Sequence, residues 1–331
     1  MCSTPAFNRR INRRIVSAFL IAALCGIPSV VNAQYPARPI RLVVGLAQGG
    51  GPDVAARIIS GRLSAALGQP VVVENRTGSA GNIGTEVVAR SSPDGYVLLM
   101  SNDSMMSINP HIYKMPVDVM RDLTPVAPVS QTSNFFLTVH PAVPAKTFRE
   151  FIDYAKRANP PLAYASVGYG SQHHIAMEML KARAGINLLH VPYKGGAPAA
   201  TATLAGETAV MIGGVSSVSF MTDGRLRGLA ATGRSRSALY PELPIISEFY
   251  PGYELATWIG IFGPSSLSEA IGARLNGEIN KALTAPDITR NFNTAGIEPY
   301  VATRAEFGER VRADYEKYGK LVKQFGIKLD D

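Results

Sequence analysis

Three consecutive glycines, at positions 49–51, separate an apolar segment, residues 40–44, from a segment that opens with Pro52. The apolar segment is rich in β-branched residues and predicts a strand, and proline is typical of the first turn of a helix. A strand that runs through glycines into a helix exposes backbone N–H groups at the positive end of the helix dipole. The turn therefore predicts an anion-binding site, which nucleotide-binding enzymes and carboxylate-binding proteins both use.

The first 33 residues have the three parts of a secretory signal peptide. Four arginines between positions 9 and 14 precede an apolar stretch, residues 15–24, and Ala33 ends a segment of short side chains. The apolar stretch falls short of the roughly 20 residues that a membrane span needs. We predict residues 1–33 to be a signal peptide cleaved after Ala33, by the Sec or the twin-arginine route, and a periplasmic location for the rest. Lipidation at Cys25 is an alternative that the bulky Leu24 disfavours.

Cleavage would change the composition of the chain. Both cysteines, Cys2 and Cys25, would leave, so no thiol would remain for a disulfide, for catalysis or for a metal. The formal charge would fall from +8 to +4, because four of the 33 basic residues and none of the 25 acidic residues precede residue 34. Without an arginine-rich run this charge does not indicate nucleic acid and mildly favours small anions.

Short β-branched segments alternate with amphipathic segments along the mature chain, which predicts parallel sheets covered by helices. The strands are predicted at residues 40–44, 71–74, 97–100, 126–129, 135–139, 162–166, 188–191, 209–212 and 227–231. The helices are predicted at residues 53–67, 147–158, 172–184, 198–204, 268–283 and 304–325. Thr147, Ser268 and Thr303 are expected to cap three of these helices.

A second strand–glycine–helix segment spans residues 164–174. Its strand would end near Ser166, Gly168 and Gly170 would turn the chain, and Ser171 would cap the helix while free N–H groups face outward. If the two turns belong to separate lobes, a carboxylate could be held between them at the strand ends. Either turn could also be a tight connection without a ligand.

Two further loops are candidates for the site. Residues 74–84 form a long loop with several glycines, which suits ligand contact, a lid or plain packing. Residues 101–104, with Ser104 at their end, are polar and follow a predicted strand, although ordinary turn chemistry also explains them.

Other kinds of site fit less well. The first turn nearly matches the dinucleotide pattern G-x-G-x-x-G/A, but Val54 stands where a small residue is needed and Asp53 would bring negative charge to the pyrophosphate. A soluble nicotinamide cofactor is also not normally supplied outside the cytoplasm. The serine-hydrolase pattern G-x-S-x-G and the zinc pattern H-E-x-x-H are absent. We therefore expect no cofactor, no metal and no catalysis.

Several motifs follow one another along the mature chain. They are Arg38-Pro39-Ile40-Arg41, Gly49-Gly50-Gly51-x-Asp53, Gly68-Gln69-Pro70, Pro93-Asp94-Gly95-Tyr96, Ser166-x-Gly168-x-Gly170-Ser171 and His190-Val191-Pro192-Tyr193-Lys194-Gly195. In this order they resemble the Bug family, the TctC-like substrate-binding proteins of tripartite tricarboxylate transporters. The resemblance implies a two-lobed α/β periplasmic binding protein of the Venus-flytrap type (type II) with two hinge crossings. Each lobe would be a mostly parallel sheet flanked by helices.

The same resemblance implies which residues form each lobe and which residues bind the ligand. Residues 34–132 and 233–331 would form lobe 1, and residues 133–232 would form lobe 2. The protein would be a monomer that closes on a small carboxylate and delivers it to membrane transporter subunits. In the family the loop after the first strand and the S-x-G-x-G-S loop grip the carboxylate, partly through ordered water. The predicted ligand-binding residues are Ala47, Gln48, Gly49, Gly50, Ser104, Ser166, Gly168, Tyr169, Gly170, Ser171 and Gly213.

The sequence departs from the family pattern at two places. Gln48 and the residues before it stand where relatives usually carry prolines and a phenylalanine, so Gln48 could add a donor. Gly213 and Gly214 stand where relatives that accept amino acids often carry aspartate, the natural partner of an ammonium group. A mono- or dicarboxylate, aromatic acids included, is therefore expected in preference to an amino acid. A ligand sensor for a signalling partner and an exported enzyme remain alternative functions.

Overall fold

The computed structural model describes residues 1, 3, 35–132 and 134–327. The predicted signal peptide and its cleavage site lie almost wholly outside the described residues. Within them, no helix has both the length and the apolar character that a membrane crossing requires.

Eleven strands and eleven α-helices are found in the described part of the chain. The strands are β1 (Ile40–Val44), β2 (Val71–Asn75), β3 (Val97–Asn102), β4 (Leu123–Thr132), β5 (Phe136–Val139), β6 (Leu162–Ser166), β7 (Leu188–Pro192), β8 (Val210–Gly213), β9 (Arg227–Ala231), β10 (Thr257–Pro264) and β11 (Glu298–Pro299). The helices are α1 (Gly51–Leu67), α2 (Asn82–Ala89), α3 (Asn109–Ile112), α4 (Val119–Asp122), α5 (Phe148–Arg157), α6 (Gln172–Ala184), α7 (Gly196–Leu204), α8 (Val215–Thr222), α9 (Glu269–Leu283), α10 (Pro286–Thr294) and α11 (Arg304–Gln324).

Side-chain caps fix several helix starts where the sequence predicts them. Thr147 accepts from Glu150 N at the start of α5, and Ser268 accepts from Ile271 N at the start of α9. Thr303 forms a reciprocal capping box at the start of α11. The three predicted caps are thus confirmed.

The strands form two sheets. The six-stranded first sheet has the order β11-β4-β10-β3-β1-β2, and the five-stranded second sheet has the order β7-β6-β8-β5-β9. Pairing is parallel in β2-β1-β3 and in β7-β6-β8, whereas β10 runs antiparallel to β3 and β4, and β5 runs antiparallel to β8 and β9. The sheets are therefore mixed: most strands of each sheet share one direction, and the reversed strands are β10 and β11 in the first sheet and β5 in the second.

The two chain crossings explain the mixed pairing. The chain leaves the first sheet after β4, enters the second with β5, leaves it after β9 and returns with β10. Strands followed by crossover helices end at the edge that faces the other sheet. A strand that arrives from the other sheet starts at that edge, so β5 and β10 run in the opposite direction.

Each sheet has its own buried core, and residues after position 232 contribute to both cores. All strands of residues 34–132 and 233–331 join the first sheet, and all strands of residues 133–232 join the second. However, Ile246, Tyr253 and Leu255, and Tyr318 from α11, pack in the core of the second sheet. The lobe boundary at residue 232 therefore stays a prediction.

Candidate carboxylate site

A cavity of about 670 Å³ lies between the two sheets. Its wall is built from the loops that follow β1, β2, β6 and β7 and from the start of β10. The carboxyl ends of strands from both sheets thus meet at one space, which is where open α/β sheets bind ligands.

Five of the described helices begin at this wall. α1 begins at Gly51, α6 at Gln172 and α7 at Gly196, and α2 and α8 begin directly after Gly81 and Gly214. The first N–H groups of a helix lack intrahelical partners and carry the positive end of its dipole. Their convergence makes the cavity favourable for an anion.

The loops of the two sheets touch on both sides of the cavity. On one side a Cβ added to Gly195 would lie 4.0 Å from the Cβ of Ala47, so the starts of α7 and α1 are neighbours. On the other side Gln172 Nε2 donates to Thr257 Oγ1 at 2.6 Å, which joins α6 to β10. The cavity is therefore bounded by contacts between the sheets as well as by each sheet.

The glycine turn before α1 leaves its helix start uncapped. Gly50 is the N-cap residue, and no side chain caps this end. The first helical hydrogen bond joins Val54 N to Gly50 O, so the N–H groups of Gly51 and Asp53 have no intrahelical acceptor. Because Gly51 lines the cavity, its N–H is available to a ligand anion.

The carboxylate of Asp53 is held within the turn itself. It accepts from Gly49 N at 3.0 Å and from Asn75 Nδ2 at 2.9 Å, and it pairs with Arg57. Burial acts to raise the pKa of Asp53, but the hydrogen bonds from Arg57, Gly49 and Asn75 outweigh it and lower that pKa. Its negative charge is thus neutralised locally, and Asp53 is not part of the cavity wall.

The second glycine loop, between β6 and α6, uses its amides internally. Gly168 N donates to Ser166 Oγ at 3.1 Å, Gly170 N to His174 Nδ1 at 3.1 Å, and Ser171 N to Gly168 O at 3.2 Å. The expectation that free N–H groups face outward is therefore wrong for Gly168, Gly170 and Ser171.

A stack of aromatic rings supports this loop. His190 lies flat against His174 at 4.1 Å between ring centroids and against Tyr164 at 4.9 Å. His190 Nε2 lies 2.6 Å from Ser166 Oγ. Burial lowers the pKa of His174 to about 4 and that of His190 to about 3, so both rings are neutral at pH 7. Ser166 is fully buried, so its contact with His190 stabilises the loop from within.

A buried chain of hydrogen bonds continues from the contact between the sheets. Thr257 Oγ1 accepts from Gln172 and donates to Asp103 Oδ1 at 2.5 Å. Burial raises the pKa of Asp103 well above its usual range. Ser104 Oγ accepts from Gln172 N at 3.2 Å, so α6 is tied to the loop after β3 at two points.

The predicted site residues divide into two groups. Ala47, Gln48, Gly50 and Gly168 line the cavity. The others lie behind its lining, and their contact with ligand stays a prediction: Gly49, Ser104, Ser166, Tyr169, Gly170, Ser171 and Gly213. Tyr169, for example, offers its carbonyl oxygen to Tyr113 Oη at 3.2 Å.

Sequence reasoning missed a large part of the wall. Gly195, Gly196 and Pro198 repeat the pattern of glycines followed by proline at a helix start, and this signal was sufficient to find them. No comparable signal marks other missed residues, among them Tyr113, Thr132, Phe135, Met211, Ser216, Thr257, Ile259 and Ile297.

The charge of the wall suits an anion. Among the described residues that line the cavity, Lys194 is the one lysine or arginine, and none is aspartate or glutamate. Burial lowers the pKa of the lining residue His173 to about 4, so that ring is neutral at pH 7. The arrangement can bind and orient a carboxylate through backbone N–H groups, Lys194 and neutral donors.

Comparison with known proteins places the chain in a family. Residues 55–327 match the model of a family described as the tripartite tricarboxylate transporter family receptor, TctC. This chain belongs to the TctC family. It is 33% identical to protein BugT of Bordetella pertussis over 318 residues, which cover 94% of this chain and 96% of BugT. The predicted family is therefore confirmed, and TctC proteins are receptors rather than enzymes.

Solved structures of similar proteins share the fold of this TctC-family chain. The R. palustris protein Rpa4515, solved with adipate, is 31% identical with a TM-score of 0.85, and the match covers 89% of this chain and 100% of that one. MatC from Rhodopseudomonas palustris, solved with bound malate, is 26% identical with a TM-score of 0.80, and the match covers 87% and 100%. The predicted two-lobed α/β fold of periplasmic binding proteins is confirmed.

Proposed function

We propose that this protein is a periplasmic receptor that binds a mono- or dicarboxylate, aromatic acids included, between its two sheets. It acts as a monomer, makes and breaks no covalent bond, and delivers the ligand to the membrane subunits of a tripartite tricarboxylate-type transporter. The observation that carries the proposal is the uncapped start of α1 at Gly50 and Gly51, on a cavity whose described lining has no acidic side chain.

Binding exchanges water for protein donors. The N–H of Gly51 and the side chains of Gln48 and Lys194 replace water around the carboxylate, and each charge-assisted hydrogen bond contributes roughly 1.5–3 kcal/mol. Rotation about the two crossings between the sheets closes the cavity and presents a surface that the transporter recognises. The adipate and malate found in two relatives support a carboxylate as the ligand class.

Mass spectrometry of small molecules released from natively purified protein tests the ligand class. A carboxylic acid is the expected result, and calorimetry with that acid and its uncharged primary amide is the follow-up. We expect the acid to bind and the amide to lose nearly all affinity, because the amide lacks the charge that the helix starts favour. Equal binding of acid and amide would contradict the proposal, as would turnover of the bound molecule.

A further inference from the structure

The side chain of His173 is the one histidine of the described cavity wall, and it has no hydrogen-bond partner among the described residues. Its Nδ1 is buried and unpaired, which leaves Nε2 as the nitrogen available to a ligand. The ring stands edge-on to Phe135 at 5.1 Å between centroids. Its neighbour His174 differs, because His174 Nδ1 accepts from Gly170 N inside the loop.

The surroundings of His173 favour a neutral ring that donates from Nε2. Burial is the cause that lowers its pKa to about 4, and its place in the first turn of α6 also disfavours a cation. The other titratable side chains on the described cavity wall are Tyr113, Tyr193 and Lys194, and none of them carries a negative charge at pH 7. Protonation would also place a second N–H on the buried, unpaired Nδ1.

His173 and Gly51 line the cavity from different sheets. Gly51 begins α1, which follows β1 of the first sheet, and His173 lies in the first turn of α6, which follows β6 of the second sheet. The cavity of about 670 Å³ has room for a ligand with a carboxylate at each end, one at Gly51 and the other on the α6 side.

We propose that His173 donates a hydrogen bond from Nε2 of its neutral imidazole to the second carboxylate of the ligand, so that the protein selects dicarboxylates over monocarboxylates. This inference rests on the proposed carboxylate-receptor function. It makes His173 a specificity residue for one end of the ligand, while the start of α1 holds the other end.

The test compares adipate with hexanoate, which has the same chain length but lacks the second carboxylate. Calorimetry of the wild-type protein is expected to show adipate binding at least tenfold more tightly, because a hydrogen bond to a charged group is lost with hexanoate. His173→Phe should weaken adipate binding about tenfold more than it weakens hexanoate binding, and His173→Gln, which keeps a neutral donor, should recover part of that difference. His140→Phe, outside the cavity, is the matched control and should leave both affinities unchanged.

Two further readouts complete the test. Adipate titrations of wild type at pH 7 in two buffers of different ionisation enthalpy should show no proton uptake, since the ring stays neutral. If His173→Phe does not fold, His173→Met, whose flexible side chain fills similar space, takes its place.

The outcomes separate this inference from the proposed function. Equal wild-type affinity for adipate and hexanoate would overturn the inference and leave a carboxylate receptor. The same holds for an equal loss of both affinities in His173→Phe, or for proton uptake that this variant abolishes. Failure of both acids to bind, together with release of no carboxylic acid from the natively purified protein, would contradict the proposed function and this inference with it.

Discussion

The two glycine loops that follow β1 and β6 look alike in sequence but present different groups to the cavity. At the start of α1 the glycines are followed by Pro52, no side chain caps the helix, and the N–H of Gly51 is open. Before α6 the hydroxyl of Ser166, the ring of His174 and the hydroxyl of Ser171 accept from the amides of Gly168, Gly170 and His174 respectively. Gly49 N and Gly50 N also bond within their own turn, to Asp53 and Ala47, so the amide that distinguishes the α1 loop is that of Gly51, at the helix start itself.

The difference assigns separate roles to the two sides of the cavity. The α1 loop offers backbone donors, which suit any carboxylate. The α6 loop is stabilised by its internal hydrogen bonds and contributes side chains, with Gln172 bonded to Thr257 of β10 and His173 in the cavity lining. We infer that the first loop supplies affinity and that the second supplies specificity.

The largest expected effect is a loss of unfolding free energy at low pH, to which the histidines of the α6 loop contribute more than the α1 loop does. Burial lowers the pKa of His173 and of His174 to about 4, below the ordinary 6.5, so the stability that these rings contribute is present above pH 6.5 and is lost as the pH falls toward 4. We expect about 2 kcal/mol of lost unfolding free energy for each ring at pH 4.5. Asp53, with a pKa already below 3.8, loses its contribution only at still lower pH.

Urea unfolding at pH 6.5 and 4.5 measures this effect. His173→Phe should remove about 2 kcal/mol of the pH dependence, because it removes one titrating ring that has no hydrogen bond to lose. An unfolding free energy that does not change between the two pH values would contradict neutral, buried histidines in the α6 loop.

Gly50→Val should have the next largest effect, on affinity. Gly50 has extended dihedral angles, φ −75° and ψ 162°, which valine tolerates, and a Cβ there would lie 3.2 Å from Ala47 O, so the protein should fold with a small shift of the turn. The branched side chain would cover the start of α1, and we expect about a hundredfold weaker binding, or about 2.7 kcal/mol. Calorimetry with adipate measures it.

Gly61→Ala, on the exposed face of α1 with open space around its Cβ position, is the matched control. It should raise the unfolding free energy by up to about 1 kcal/mol and leave affinity unchanged. If Gly50→Val bound adipate as tightly as the wild-type protein does, the start of α1 would be excluded as the carboxylate-binding site.

Thr257→Val tests the hydrogen bond that joins the two loops. The substitution deprives Gln172 Nε2 of its acceptor and leaves Asp103 Oδ1 with Ser104 N as its remaining donor, and both groups are buried. We expect the unfolding free energy to fall by about 2 kcal/mol. Thr201→Val, at an exposed position of α7, is the control, and a loss no larger than in that control would contradict the role of Thr257.

Ser171→Ala should have the smallest effect, on stability more than on affinity. Ser171 caps α6 by accepting from His174 N, and removal of such a cap costs about 1 kcal/mol. Ser268→Ala removes the equivalent cap of α9 outside the cavity and should cost a similar amount. A loss of affinity in Ser171→Ala as large as in Gly50→Val would abolish the distinction between the loops.

Strand β10 shows why local sequence was insufficient for part of the fold. Its eight residues are all buried, but its two glycines and its final proline are unfavourable in strands, so a prediction from propensity misses it. Gly260 is needed because a Cβ there would lie 2.3 Å from the ring of Phe307, which is 47 residues away in the chain. By contrast β1, β9 and α6 were predicted at their observed bounds, since their patterns are local.

The site shows the same division between local and distant causes. The glycine turn at α1 was found because its residues are contiguous. The partners of the amides at α6 include Ser104, 68 residues from Gln172, and the ring of His190 that braces Ser166 comes from β7. Neither contact can be inferred from the loop sequence alone. The acceptors of Gly168 N, Gly170 N and Ser171 N are local, at Ser166, His174 and Gly168, and the expectation of free amides overlooked them.

A crystal structure with adipate bound tests the central claim most directly, because it locates the carboxylate. The account predicts a carboxylate oxygen about 2.7–3.2 Å from Gly51 N, with the amides of Gly168 and Gly170 still bonded within their own loop. A carboxylate held by the amides of the α6 loop, with none within reach of Gly51 N, would contradict it.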